Sequence, residues 1–427
     1  MNVFETMESN VRSYCRSFPD VFVKAKDSRI YAESGRSFLD FFAGAGALNY
    51  GHNNDFIKEK IVSYLESDGM THGLDMHTSA KEMFLNRFSE LILQPRNLSY
   101  KVQFSGPTGT NAVEAALKLA RKVKGRSGIF SFMGAFHGMS LGSLAATSNL
   151  YHRNAAGTDL DRVHFMPFPQ GFMNSFDTIQ YLEEVLTDGH SGIEKPAAII
   201  FETIQAEGGI NEAPIPWMKQ LRELCDWHEI LLICDEVQVG CSRTGPFFSF
   251  ERADIVPDIV VLSKSISGYG LPMSIVLMKP ELDIWNPGEH TGTFRGNQLA
   301  FVGATAALEY SELISLEADV YRKGQFISQF LTNTIAPISH SIAIRGMGLI
   351  WGIDVSASKH DSLSKEIASR CYELGLILER VGRDDKVIKL MPPLTISMEE
   401  LEEGCAIVKQ AIQECFEKYN ASEYLLA

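Results

Sequence analysis

Residues 258–272 read D-I-V-V-L-S-K-S-I-S-G-Y-G-L-P, and the lysine in their midst is the first residue here with a chemical consequence. The β-branched apolar run 259–262, flanked by turn residues, predicts a buried parallel strand that ends just before Lys264. In an open α/β sheet the carboxyl ends of the strands are where ligands bind. Ser265, Ser267, Gly268 and Gly270 are small and would leave room beside the ammonium group. An amine partly desolvated there loses its preference for charge and becomes a nucleophile toward carbonyl carbon. Schiff-base chemistry is one reading of Lys264; a solvated lysine after a strand is the other, and other residues must decide between them.

Three further features point to the same rim. A short strand, 101–104, runs into the loop Ser105-Gly106-Pro107-Thr108-Gly109-Thr110 and then a helix, 111–124, closed by Gly125. Glycine loop and helix N-terminus together present unpaired N–H groups at the positive end of a dipole, an arrangement suited to phosphate. A glycine turn that merely lets strand and helix pack closely is the alternative. Neither a P-loop ending nor a full dinucleotide fingerprint is present. Asn111 or Thr110 with Glu114 suggests a capping box, and Glu114 with Lys118 an i to i+4 ion pair. Residues 230–234, I-L-L-I-C, lead directly into Asp235, a carboxylate whose burial requires a cation or donor to meet it. Phe136 follows the strand 129–132 and could cover the face of a planar ring, or simply be core. Anion cradle, aromatic face, buried acid and amine nucleophile together meet the needs of a phosphorylated pyridine aldehyde, pyridoxal phosphate.

The elements that would position these groups follow a doubly wound α/β order. A hairpin is predicted over 29–42, and F-A-G-A-G-A-L-N-Y-G-H-N-N after it reads most simply as a tight connection. Helical spacing marks 56–65, 80–93, 176–186 and 217–228, and strands are expected at 197–201 and 274–278. Residues 149–173 carry no usable period. Beyond 311 the pattern changes to helices and short strands, with a last helix over 398–416 and loosely held residues from 420. The expected division is an N-terminal segment, 1–55, that joins a small α+β C-terminal domain, 311–427, and a large domain, 56–310, between them.

Composition sets the outer limits. The chain has 427 residues, 45% hydrophobic and 22% charged, enough for two or three lobes with ample core. A formal charge of -14 argues against a nucleic-acid partner. No apolar stretch is long enough for a membrane span, and M-N-V-F-E-T-M-E lacks a signal-peptide pattern, so a cytoplasmic location is expected. The seven cysteines are scattered without C-x-x-C, which supports neither a disulfide framework nor a metal site.

The ordered series G-A-L-N-Y-G-H, T-G-T-N-A-V-E-A-A-L-K-L-A-R, F-H-G, E-G-G, D-E-V-Q, S-K-S-I and M-P-P-L-T-I resembles the class III pyridoxal-phosphate aminotransferases of fold type I. Within that family, F-S-G-P-T-G-T-N-A-V-E-A-A and K-P-E-L-D-I-W-N-P-G-E-H-T-G-T-F-R-G-N are most similar to enzymes exchanging amino groups between L-2,4-diaminobutyrate and 2-oxoglutarate in ectoine biosynthesis. The resemblance implies a mostly parallel doubly wound sheet with a smaller α+β domain. It makes Lys264 the lysine that holds the cofactor aldehyde and moves the proton, and Asp235 the partner of the ring nitrogen. Gly109 and Thr110 would bind phosphate, Phe136 and Val237 would pack on the two ring faces, and Gln238 would reach the ring hydroxyl. Thr293 matches a threonine that reaches the phosphate of a neighbouring subunit, which implies at least a homodimer. Glu207 matches a glutamate that pairs with a substrate-binding arginine, but Lys389 stands where that arginine is usual, and lysine makes a point contact instead of a fork. Ala206, Glu236 and Val239 also depart from the pattern. The siblings left open are ornithine or 4-aminobutyrate aminotransferases, an aminomutase of the same fold, and a non-catalytic phosphate-binding protein.

Overall fold

The strands that carry Asp235 and Lys264 lie side by side at the centre of a seven-stranded sheet. In hydrogen-bonded order its strands are Lys101–Phe104, Ile275–Met278, Ile259–Leu262, Leu231–Asp235, Ala198–Phe201, Ile129–Phe132 and Val163–Met166. The last five run parallel, whereas Ile275–Met278 is antiparallel to both of its neighbours. The structure is a computed structural model and describes residues 3–160, 162–169 and 176–426. Every residue of the central strands is buried, as expected for apolar runs covered on both faces. One face packs Phe130, Phe132, Phe201, Leu232 and Val260 into an aromatic-rich core, and the other packs Ile200, Ile233 and Val261 against the alanine-rich face of the helix Gly109–Lys124.

A second core joins the two ends of the chain. Leu39, Phe41, Tyr50 and Ile57 pack with Val320, Trp351, Ile388 and Val408, and the strand Leu376–Ile377 pairs parallel with Ser37–Asp40. A four-stranded antiparallel sheet, Ala343–Met347, Ile350–Asp354, Val387–Leu390 and Glu379–Val381, completes it. Fully buried Arg243 pins these parts together: its guanidinium donates to Asn49 Oδ1 at 2.5 Å, Leu349 O at 2.9 Å and Pro392 O at 2.5 Å. Burial without a carboxylate in contact lowers its pKa to about 9. Among the described residues, no single helix is long and apolar enough to cross a membrane.

Several local expectations are revised. The unpatterned stretch contains a short helix, Leu150–Asn154, and the strand Val163–Met166, with 161 and 170–175 outside the described residues. A four-residue edge strand is too short to display its alternation. The last helix runs Met398–Leu426, past its expected end at 416; Ala427 lies outside the described residues. No capping box forms at Gly109–Lys124, whose N-cap is Thr108 without a side-chain bond. Nor does Glu114 pair with Lys118. The carboxylate turns instead to Ser140 Oγ at 2.7 Å and the N–H groups of Gly142 and Ser143, while Lys118 donates to Glu289 O. Three donors from a neighbouring turn outweigh one exposed helical ion pair.

Candidate active site

Lys264 lies two residues past the end of its strand, at the start of the turn Lys264–Ser267, with φ +53°. A side chain bearing Cβ enters that left-handed region only when its surroundings over-determine it. They do so here. Ser263 Oγ donates to Met273 O at 2.9 Å, Ser265 Oγ donates to Gly46 O at 2.6 Å, and Asn49 N donates to Ser265 Oγ. The expectation that Gly268 and Gly270 clear space for the ammonium is therefore corrected. A Cβ on Gly268 would stand 2.5 Å from Gly303 O, and one on Gly270 would stand 2.8 Å from Leu48, so these glycines admit packing elements. Likewise the 42–54 connection is more than a tight turn, since Ala45 O and Gly46 O receive bonds from Gln238 and Ser265.

Asp235, 5% exposed, ends the adjacent strand. Its Oδ1 accepts the Val237 N–H at 3.0 Å, and its Oδ2 faces His137 Nδ1 at 2.7 Å. Burial opposes a charge on His137, but the Asp235 carboxylate outweighs it and raises the imidazole pKa. Glu202, whose carboxylate accepts the Phe136 N–H at 3.0 Å, is pushed up to about 8 by burial, with Asp235 adding to the effect. Burial draws the Lys264 amine down from the ordinary lysine value, with Glu207 opposing and Lys389 adding.

These groups share a cavity of about 280 Å³. Gly109, Thr110, Phe136, Asp235, Val237 and Lys264 line it, as do Gln238 and Glu207. Thr110 Oγ1 bonds to Ser140 Oγ at 2.8 Å and to Ser143 Oγ, which gives the helix N-terminus a hydroxyl rim beside its free first-turn amides. Gly138, at φ +129°, faces that rim so closely that a Cβ would come within 2.6 Å of Ser143 Oγ. Amide cup, buried acid, desolvated lysine and cavity size fit a phosphorylated pyridine aldehyde. Thr293 lies apart, exposed on the loop before the helix Gln298–Leu313 and outside this cavity.

Lys389, which stands where an arginine is usual, has its ammonium between two carboxylates. Only 1% of the side chain is exposed, and Nζ lies 2.8 Å from Glu207, 2.7 Å from Glu379 and 3.4 Å from Gln238 Oε1. Burial works against its charge, yet the two carboxylates prevail and raise its pKa. Burial alone would raise Glu207, but Lys389 and Lys264 hold that carboxyl low, at about 2. Sequence reasoning missed Glu379, although a charged residue within the apolar run L-I-L-E-R-V was a signal. It also missed His137 beside Asp235, and Ser140 and Ser143, which only the turn 138–143 brings to the helix. Glu236, seen before only as a departure, is buried and accepts from Ser249 N at 3.0 Å, Ser249 Oγ at 2.6 Å and Phe250 N at 3.1 Å.

Lys264 and Asp235 thus stand at the carboxyl ends of neighbouring parallel strands, in one cavity with the Gly109–Thr110 turn. The chain belongs to the class III aminotransferase family, whose pattern matches residues 13–412. A diaminobutyrate–2-oxoglutarate transaminase of Streptomyces avermitilis is 54% identical over 417 residues, covering 97% of this chain and 98% of that protein. The enzyme of the same name from Bordetella parapertussis is 51% identical over 432 residues, covering 100% and 98%. Among solved structures, the ornithine aminotransferase of Toxoplasma gondii superposes with TM-score 0.85 at 25% identity, covering 97% of this chain and 94% of that one. A transaminase from the marine bacterium Virgibacillus shares the fold, with TM-score 0.87 at 18% identity over 98% of each chain.

Proposed function

We propose that this chain moves the amino group of L-glutamate to the aldehyde of L-aspartate 4-semialdehyde, giving L-2,4-diaminobutyrate and 2-oxoglutarate with pyridoxal phosphate as cofactor. The observation that carries the reading is the meeting of Lys264 and Asp235 in one cavity beside the Gly109–Thr110 amides, in a chain more than half identical to a transaminase named for those substrates. Pyridoxal phosphate supplies an aldehyde that takes up an amine and a ring that accepts the electron pair left when a proton departs.

The remaining work falls to the chain's own groups. Lys264 Nζ, whose pKa burial lowers, would hold the aldehyde at rest and then take and return the proton at the substrate carbon. Asp235, held by His137 and Val237, would keep the ring nitrogen protonated. Gly109, Thr110 and the serine hydroxyls would hold the phosphate, Phe136 and Val237 would pack against the ring, and Gln238 would serve its hydroxyl. Glu207 yields Lys389 to the α-carboxylate of glutamate and reclaims it when the second substrate arrives. Thr293, exposed outside its own cavity, serves the phosphate of a second copy of this chain, so the working unit is a homodimer or larger. The enzyme acts in the cytoplasm, and its product enters ectoine-type or siderophore-type synthesis.

Purified protein given pyridoxal phosphate, glutamate and the semialdehyde is expected to release diaminobutyrate and free 2-oxoglutarate. Turnover of ornithine or 4-aminobutyrate in its place would reassign the substrate, and amine transfer without 2-oxoglutarate would indicate an aminomutase. In Lys264→Ala the visible band of bound cofactor should vanish.

A further inference from the structure

Lys389 is met by two carboxylates where one would neutralise it. Glu379 sits directly opposite Lys389 in the antiparallel register of Glu379–Val381 with Val387–Leu390, and its Oε2 lies 2.7 Å from the ammonium without the alignment of a hydrogen bond. Glu207 holds the same ammonium from the loop behind Ala198–Phe201, with hydrogen-bond geometry at 2.8 Å. With all three groups ionised the cluster carries one negative charge in excess. That charge is close enough to the reacting amine to be felt there, since Glu379 is among the groups that act on Lys264. Burial most of all, and then Glu379 and Glu207, raise the pKa of the Tyr14 hydroxyl. A partly buried surplus charge is costly unless something meets it.

The proposed substrates differ in what they bring to this place. Glutamate reacts through its α-amine and presents a carboxylate on the reacting carbon, which calls for a cation. L-2,4-diaminobutyrate and the semialdehyde react at the far end of the chain, and their α-carbon carries an ammonium as well as a carboxylate. When they bind, Lys389 must be quenched, for which Glu207 suffices, and an acid must be free to receive the ammonium.

We propose that Glu379 is the specificity residue for the diamino substrate, receiving its α-ammonium while Glu207 remains on Lys389. The proposal rests on the substrate reading above and adds to it a residue that rewards the second amino group. It explains why the cation here is a lysine. An arginine fork would engage both acids in paired bonds, whereas a point charge leaves Glu379 with one close contact that lacks hydrogen-bond alignment, which an incoming ammonium can replace.

The test compares two amines that differ only in the α-ammonium. Single-turnover half-reactions of the pyridoxal-phosphate enzyme are measured with L-2,4-diaminobutyrate and with 4-aminobutyrate, for wild type, Glu379→Gln and Glu379→Asp. In Glu379→Gln, kcat/KM for diaminobutyrate should fall about 10- to 100-fold, the worth of a hydrogen bond to a charged group, and the ratio of diaminobutyrate to 4-aminobutyrate should fall with it. Glu379→Asp, which keeps the charge, should restore part of the ratio. An unchanged ratio in Glu379→Gln would overturn the proposal, whether both amines slow together or neither does. So would a loss confined to the glutamate half-reaction, which would place Glu379 in α-carboxylate exchange. A wild-type enzyme that turns over glutamate but not diaminobutyrate would overturn the substrate reading itself, a result distinct from these.

Discussion

Lys389→Met removes the one cation between Glu207 and Glu379 while keeping the length and apolar stem of the side chain. Breaking a buried ion pair by deleting one partner costs about 3–5 kcal/mol, because a buried charge is left uncompensated. Here the side chains are 1% exposed for Lys389, 13% for Glu379 and 30% for Glu207. Water can reach Glu207 after a small rotation, so most of the loss belongs to Glu379, and we expect about 3 kcal/mol near pH 8. The pH dependence identifies the cause. In the native protein the depressed Glu207 contributes stability present above its unfolded pKa and lost as pH falls through its native value. Lys389, raised in the fold, contributes stability present below its unfolded pKa and lost only as pH rises through its native value. In the variant burial, which raises both acids, is opposed by Lys264 without Lys389, so protonation relieves the penalty as pH falls from about 8 to about 5. Urea unfolding of the two proteins across that range measures the difference. A loss below about 1 kcal/mol that does not change with pH would refute a buried, doubly paired Lys389. Lys389→Arg, which keeps the charge, should unfold close to wild type.

Gly138→Ala should weaken pyridoxal phosphate binding about tenfold or more, since strain of this kind costs about 1–3 kcal/mol and the new methyl group presses on Ser143 and Thr110; titration of the visible absorption checks this, and an unchanged Kd would exclude Gly138 from the cup. Glu236, pushed by burial to about 7, is raised above its unfolded value. Its contribution to stability is therefore full at low pH and is lost between about 4.5 and 7 at up to about 1.4 kcal/mol per pH unit, then constant. Glu236→Gln lacks that titration, so the stability difference between the two proteins should change across this window and flatten above it; a difference independent of pH would mean that Glu236 titrates alike in the folded and unfolded chain.

What the sequence determined was set by short-range physics. Apolar runs such as 230–234 and 259–262 can satisfy their backbones only inside a covered sheet, and the charged residue that ends each run is forced to the sheet's rim. Lys264, Asp235 and the Gly109–Thr110 turn were legible for that reason, because each follows directly from its own strand or helix. The tertiary structure alone decided which groups meet across distant parts of the chain. Glu379 reaches Lys389 through strand register, and Glu207 reaches the same ammonium from the loop behind Ala198–Phe201, so no local pattern records the triad. Glu114 shows the same limit: its helical neighbours favoured a pairing with Lys118, and a turn 26 residues further along offered better donors. Hydrogen bonds and ion pairs go to whichever partner the packing brings closest, and that is a property of the assembled core.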